Sequence, residues 1–384
     1  MIASLIFGLL AQFSVAPAAA ALPQLAPQLA PQLAPQLALL AATRQDSGGT
    51  QETGTSIADR GFNTETGKWP APTELYPVTR VIDGDTIWIQ RNGKRDKLRL
   101  LSVDTEEQMI GSRNATVFKP ETLFGEECAR WSEEFFAGLA LDGETPMVGL
   151  VFPDGVERND IYGRLLCQVV LPDGTDYNLL LVQKGKSPYF NKYGNSRLTH
   201  AAFVAAQDAA RAAQLGIWDP KTNSSDDPAK PAVKRPYERL LPWWQARADA
   251  LDLFRARAAE APDKWIEAED SASVRRAAAA GDPVNIFAGV NRLFDEDDGS
   301  LTVLFRAGDK DAAVRAIIPA AAKNEFLAGF DVRLVNENFH QNFIYLSGTL
   351  TRGPRGFRLN AGDPANWRFA APRYDDVQPG DRQQ

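Results

Sequence analysis

The sequence predicts an α+β chain: a β-barrel plus helices, then a helical linker region, then a second small β-barrel. Three observations carry this. The runs VIDGDTIWIQ (81–90) and KLRLLSVDT (97–105) alternate apolar and polar side chains on either side of a polar NGK turn, as the half-buried strands of a hairpin do. Helical spacing appears in several stretches between residue 126 and residue 281. Strand-like alternation then returns from Pro283 to Phe369, with one short helix after the third run.

Composition bounds what such a chain can do. With 384 residues, 44% apolar and 24% charged, it has the usage of an ordinary globular protein and room for two or three domains. Two cysteines and two histidines exclude a zinc-finger array and argue against a histidine-based metal site, which leaves metal chemistry to carboxylates. The formal charge of −7 does not suit a long grip on a polyanion, because such binding is mostly phosphate neutralisation. Any contact with nucleic acid has to be local.

Residues 1–43 carry no charged side chain. MIASLIFGLLAQFSVAPAAA has an apolar core followed by small residues, which predicts a signal peptide over 1–21 and export, secreted or periplasmic; an uncleaved membrane anchor is the alternative. Four PQLA repeats (Pro23 to Ala38) and a Gly/Ser/Thr/Gln tract make 22–73 a disordered low-complexity tether.

In 74–220 the strands of the hairpin are followed by a polar loop, QMIGSRNATVFKPETLFG, long enough to act as a gate or to be a surface insertion. Glu126 to Leu139 places Cys128, Trp131, Phe135 and Leu139 on one helical face. PMVGLVFPDG and YGRLLCQVVLPDG read as strands closed by PDG turns, Asn178 to Lys186 as a helix ending at a glycine, and Thr199 to Trp218 as an alanine-rich helix. KTNSSDDPAKPAVK opens the linker and helical segment 221–281, in which Trp243 and Trp244 are candidates for burial. Over 282–371 the strand order, with its helix after the third strand, is that of an OB-type barrel; Arg352, Arg355, Arg358 and Trp367 would give it a basic, aromatic surface for single strands, or would serve domain packing. Residues 372–384 read as a disordered tail.

Asp83, Asp85, Arg99, Asp104 and Glu107 gather at the strand ends of the first barrel, and Asp160 to Arg164 reads DIYGR. Singly these are unremarkable, since Asp-Gly-Asp is a common turn. Together DGDT, RLLSVDTEE and DIYGR, in this order and at these spacings, resemble the staphylococcal nuclease (thermonuclease) family. The resemblance implies an OB-fold-type nuclease barrel and a calcium-dependent phosphodiesterase. A phosphodiester is anionic and its five-coordinate transition state spreads more charge over oxygen, so the chemistry asks for a cation, positive donors and a base. The family's roles would fall on Asp85, Asp104 and the Thr105 carbonyl as Ca2+ ligands, with Asp83 behind them. Arg99 and Arg164 would fork onto phosphate oxygens, and Glu107 would activate water. Tyr162 and Tyr189 would contact substrate, a nucleic acid, DNA or RNA, single-stranded in preference, with no stable protein partner implied. A catalytically degenerate scaffold that only binds is the alternative.

Two departures from the family stand out. Residues 74–220 carry 16 Lys and Arg against 21 Asp and Glu, a formal −5, where better-known members are basic. TEE at 105–107 has Glu106 where proline is usual, which would loosen the turn beside Glu107. Cys128 and Cys167 lie on a helix and a strand that pack together in the family. An exported chain could bridge them, closing a loop of about 39 residues, or keep two buried thiols.

Overall fold

The computed structural model describes residues 61–377 apart from 112–114, 117, 141–142, 154, 156, 161, 225–231 and 337–342. The expected signal peptide and the tether as far as residue 60 lie outside the described residues.

Strands β1 (Tyr76–Asp83), β2 (Thr86–Arg91) and β3 (Lys94–Leu100) form an antiparallel meander. Asn92 and Gly93, at φ +49° and +72°, make its second turn; positive φ at both positions matches the twist of the strands they join. β3 pairs in parallel with β5 (Leu165–Val170), β5 pairs with β4 (Met147–Val151), and β4 returns to β1, closing a five-stranded barrel. The apolar side of the alternation, Ile87, Ile89, Leu98, Leu100, Val148 and Val169, is buried inside it. Each such side chain contributes about 1.5–3 kcal/mol by leaving water.

Helix α1 (Leu123–Leu139) starts where the Thr122 hydroxyl accepts from the Gly125 N–H at 2.9 Å. Its buried residues are Phe124, Gly125, Cys128, Ala129, Ser132 and Phe136, while Trp131, Phe135 and Leu139 pack at the margin of the same core. The face is therefore turned by about one residue from the one expected. Cys128 and Cys167 are both buried and free. Burial raises both thiols above their usual range. Helices α2 (Tyr177–Gln183) and α3 (His200–Ala212) complete the unit.

Helix α4 (Tyr237–Glu260) follows, with Trp243 and Trp244 buried beside Leu240, Tyr374 and Val377. After β6 (Trp265–Glu267) and α5 (Ser271–Ala280) comes a second, mixed sheet of β7 (Pro283–Asp295), β8 (Leu301–Phe305), β9 (Val314–Ile318), β10 (Phe343–Thr349), β11 (Thr351–Gly353), β12 (Gly356–Asn360) and β13 (Trp367–Phe369). Its order is β11-β12-β9-β8-β7-β10-β13, with β12 parallel to β9 and helix α6 (Lys323–Gly329) after the third strand. That is the pairing order of the first barrel, with the fourth strand broken at Leu350 into β10 and β11.

One detail decides between roles the sequence left open, and two differ from its reading. Of the two roles open to Trp367, packing is the one it takes: it is 5% exposed and packs on Phe305, Phe326 and Phe330. The end of the supposed tether is ordered from residue 61, where Trp69 is buried and donates Nε1–H to Asp176 at 3.0 Å. The start of the supposed tail is ordered through Val377, because Tyr374 packs edge-on against Trp243.

Candidate active site

The site stands at one end of the first barrel, where β1, β2 and β3 give way to loops. Gly84 and Gly125 allow its walls to close. A Cβ on Gly84 would lie 2.5 Å from the Thr105 methyl, and one on Gly125 would lie 2.0 Å from the Glu107 carbonyl oxygen. The 104–107 turn is thus clamped between the DGD turn and the start of α1.

Arg99 faces Thr86 across the β2–β3 ladder and Leu166 on β5. Its guanidinium forms ion pairs with the Asp85 carboxylate and, at 2.6 Å, with Asp104 Oδ1. Asp85 is also held by the Thr86 hydroxyl at 3.0 Å and the Thr105 N–H at 2.9 Å, and its own N–H donates to Asp83 at 3.0 Å. The Asp104 N–H donates to the Ser187 hydroxyl at 2.8 Å. Burial works to protonate both carboxyls but is outweighed. Arg99 and then Lys119 hold Asp85 below the usual carboxylate range, and Lys119, Arg235 and Arg99 do the same for Asp104. Asp83 goes the other way, pushed up to about 7 by burial and by the charges of Asp85 and Glu107.

Arg164 follows a turn organised by Asp160, whose carboxylate accepts from the Tyr162 and Arg164 N–H groups at 2.9 Å each and from Arg164 Nε at 2.7 Å. Gly163 takes the φ of +77° that this turn needs. Tyr162 is 77% exposed, its ring 5.5 Å from the Arg164 guanidinium, so a face remains open to solvent. Arg99, Asp104 and Arg164 line one cavity of about 260 Å³.

Glu107 pairs with Lys119 Nζ at 2.5 Å, and the same ammonium lies 3.3 Å from Asp104. The long loop after Glu107 therefore delivers a cation to the site. Glu106 does not loosen the turn: it is buried, and its carboxylate accepts from Thr122 at 2.6 Å, Asn223 at 2.7 Å and Tyr237 at 3.0 Å. It ties the turn to α1, to the linker and to α4.

Tyr189 is not placed to meet substrate. It is 3% exposed, stacks on Phe203 at 5.0 Å, and its hydroxyl is engaged by the Ser196 N–H at 2.8 Å and the His200 ring at 3.0 Å. The exposed ring of that segment is Tyr193, 51% exposed.

Arg235 was absent from the sequence-derived set. It is 7% exposed, forms an ion pair with Asp104 Oδ2, and donates to the Asp104 carbonyl at 3.2 Å and the Phe118 carbonyl at 2.7 Å. Its guanidinium lies 5.3 Å from the Trp244 ring. In sequence it follows a proline- and lysine-rich linker, where an arginine reads as solvated. The only hint was its place beside the Pro236 that precedes α4.

One guanidinium reaches oxygens of both Asp85 and Asp104, so two ionised carboxylates converge, and oxygen donors of this kind fit a hard divalent ion. Among the described residues no group of three or more His, Cys, Asp or Glu side chains is placed to hold a metal. An ion here would complete its shell from backbone carbonyl, such as that of Thr105, and water. Three cations, Arg99, Lys119 and Arg235, meanwhile balance Asp85, Asp104 and Glu107.

Comparison with known proteins follows the same residues. Residues 97–220 match the family of staphylococcal nuclease homologues. An uncharacterized endonuclease of Escherichia coli O157:H7 is 28% identical over 158 residues, 41% of this chain and 82% of the relative. Endonuclease YncB of Bacillus subtilis is 29% identical over 188 residues, 46% of this chain and 81% of the relative. The thermonuclease of Staphylococcus intermedius is 29% identical over 151 residues, 38% of this chain and 77% of the relative.

Proposed function

We propose, for a chain whose residues 97–220 are a staphylococcal nuclease homologue, an exported nuclease that hydrolyses phosphodiester bonds in DNA or RNA with calcium as cofactor. The observation that carries this reading is the single cavity in which Arg99 and Arg164 converge beside Asp104, with Asp85 and Glu107 in the same ion-pair network.

Asp85, Asp104 and the Thr105 carbonyl would hold the ion, which when bound supplies positive charge for developing negative charge on phosphate oxygen. The remaining work belongs to the protein. Arg99 and Arg164 fork onto the phosphate oxygens, each through paired N–H donors. Glu107, once released from Lys119, takes the proton of the attacking water. Lys119 is then free to face the phosphate. The formal −5 of 74–220 confines attraction to this cleft, which favours a short single-stranded substrate over a long duplex footprint.

A second reading is a binding module without turnover, and one observation favours it: every carboxylate the reaction needs is already paired with a side-chain cation. One experiment separates the two. Purified protein is incubated with single-stranded DNA in calcium and then in chelator. Cleavage only with calcium supports the enzyme, whereas binding without cleavage in both supports the module.

A further inference from the structure

Beyond the carboxylate cluster the cleft has a corner built by three parts of the chain. The loop 190–194, between α2 and α3, brings Lys192 and Tyr193; α4 brings Trp243 and Arg247; the residue after β8 brings Arg306. Lys192 Nζ lies 5.1 Å from the Trp243 ring and 5.6 Å from the Tyr193 ring. The Arg306 guanidinium lies 6.0 Å from the Tyr193 ring, and buried Arg247 donates Nε–H to the Lys192 carbonyl at 3.0 Å. Lys192, Tyr193 and Trp243 line the same cavity as Arg99 and Arg164, so the corner continues the candidate active site.

Lys192 is not matched as the cations of the neighbouring cluster are. Arg99, Lys119 and Arg235 meet Asp85, Asp104 and Glu107, and Arg164 meets Asp160. Lys192 has no carboxylate partner among the described residues, only ring faces. Burial, with the nearby charges of Arg247 and Arg306, draws its ammonium below the ordinary lysine range, while Tyr193 acts in the opposite sense. Burial likewise lowers Arg247 to about 9. A half-buried ammonium with no carboxylate beside it costs free energy unless an anion completes its surroundings. In a chain of formal charge −7 this accumulation is not a by-product of composition.

We propose that the Lys192 corner binds a phosphate of a single-stranded polynucleotide, the one next along the strand from the phosphate held by Arg99 and Arg164. The corner exists only because α4 and the second sheet pack onto the nuclease-homologue unit, which gives the region after residue 220 a part in substrate selection. The cavity, about 260 Å³, is lined by Phe190, Tyr193, Trp243 and Trp244 beside its cations, the pairing of rings and positive charge that suits a single strand. The proposal rests on the reading that this chain acts on nucleic acid.

The test uses the full chain in chelator, so that binding is read without turnover. Fluorescence anisotropy with a labelled short oligothymidylate, in a salt series, compares wild type with Lys192→Gln, Lys192→Met and Lys192→Arg. The expected result is a loss of about tenfold in affinity for Gln and Met, with a slope of log K against log salt shallower by about 0.7, the value for one phosphate contact on a single strand. Lys192→Arg should bind nearly as wild type does, and competition by thymidine monophosphate, which offers a single phosphate, should be unchanged in every variant. The thermal midpoint of the Gln and Met variants should hold or rise, because a half-buried charge near Arg247 and Arg306 has been removed. Unchanged affinity and salt slope in both variants would overturn the proposal while leaving the nuclease reading intact, provided the wild type binds and cleaves. A wild type that neither binds nor cleaves single strands would bring down both.

Discussion

Arg235→Ala tests whether the linker arginine is part of the site's framework. The substitution removes an ion pair to Asp104 Oδ2 and hydrogen bonds to two carbonyl oxygens, and it takes a guanidinium from beside Trp244. Breaking a buried ion pair from one side costs about 3–5 kcal/mol, chiefly because the partner is left charged and unpaired. Asp104 keeps Arg99 and Lys119, which brings the cost to the low end, while the two carbonyls lose donors worth about 1 kcal/mol each. The expected destabilisation is about 5 kcal/mol. It is measured as the shift of the urea midpoint multiplied by the m-value, followed by tryptophan fluorescence, since Trp243 and Trp244 sit in the affected layer. Arg235→Lys keeps the charge but not the three-way contact, and should recover about half of the loss. A change below about 1 kcal/mol in Arg235→Ala would refute the reasoning, because it would mean that the guanidinium is not held on Asp104 in solution.

Three further outcomes are expected. Glu107→Gln keeps size and hydrogen-bonding reach but loses the base, so cleavage should fall on the order of a hundredfold or more with the fold intact by circular dichroism; equal turnover would remove Glu107 from the mechanism. Arg164→Lys should lower kcat/KM by an amount corresponding to about 2–4 kcal/mol while calcium binding by calorimetry stays the same, and full turnover would make Arg164 a structural partner of Asp160. Burial raises Asp176 to about 6, against hydrogen bonds from Trp69, Leu179 and Asn178 that favour the carboxylate. Its folded pKa thus exceeds its unfolded one, so folding takes up a proton between about pH 4 and pH 6 and this group's contribution falls by about 3 kcal/mol as the pH rises through that window. Asp176→Asn should flatten the fall in denaturation profiles taken across it; a slope identical to wild type would contradict the assignment.

Much of this architecture could be read from the chain alone because its signals are local. Alternation in VIDGDTIWIQ and KLRLLSVDT, the Asn92-Gly93 turn and the Asp160-to-Arg164 turn are each set within a few residues by side-chain period and backbone preference, and they place Asp85, Arg99, Asp104 and Arg164 where the barrel end requires. Alternation does not say which ring of PYFNKY faces solvent. Packing of α3 decides that, turning Tyr189 inward onto Phe203 and leaving Tyr193 outside. Lys119 and Arg235 could not be recognised from sequence, since a basic residue in a polar loop or a proline-rich linker has no periodic neighbour to mark its direction. Lys119 meets Glu107 only because its loop folds back, and Arg235 meets Asp104 across 131 residues only because Trp243 and Trp244 anchor α4 over the cleft. The sequence by itself determined the barrel and the carboxylate and arginine set; only the tertiary structure decided which distant cations sit on those carboxylates, because a charge's partner is chosen by the docking of whole elements and not by its neighbours in the chain.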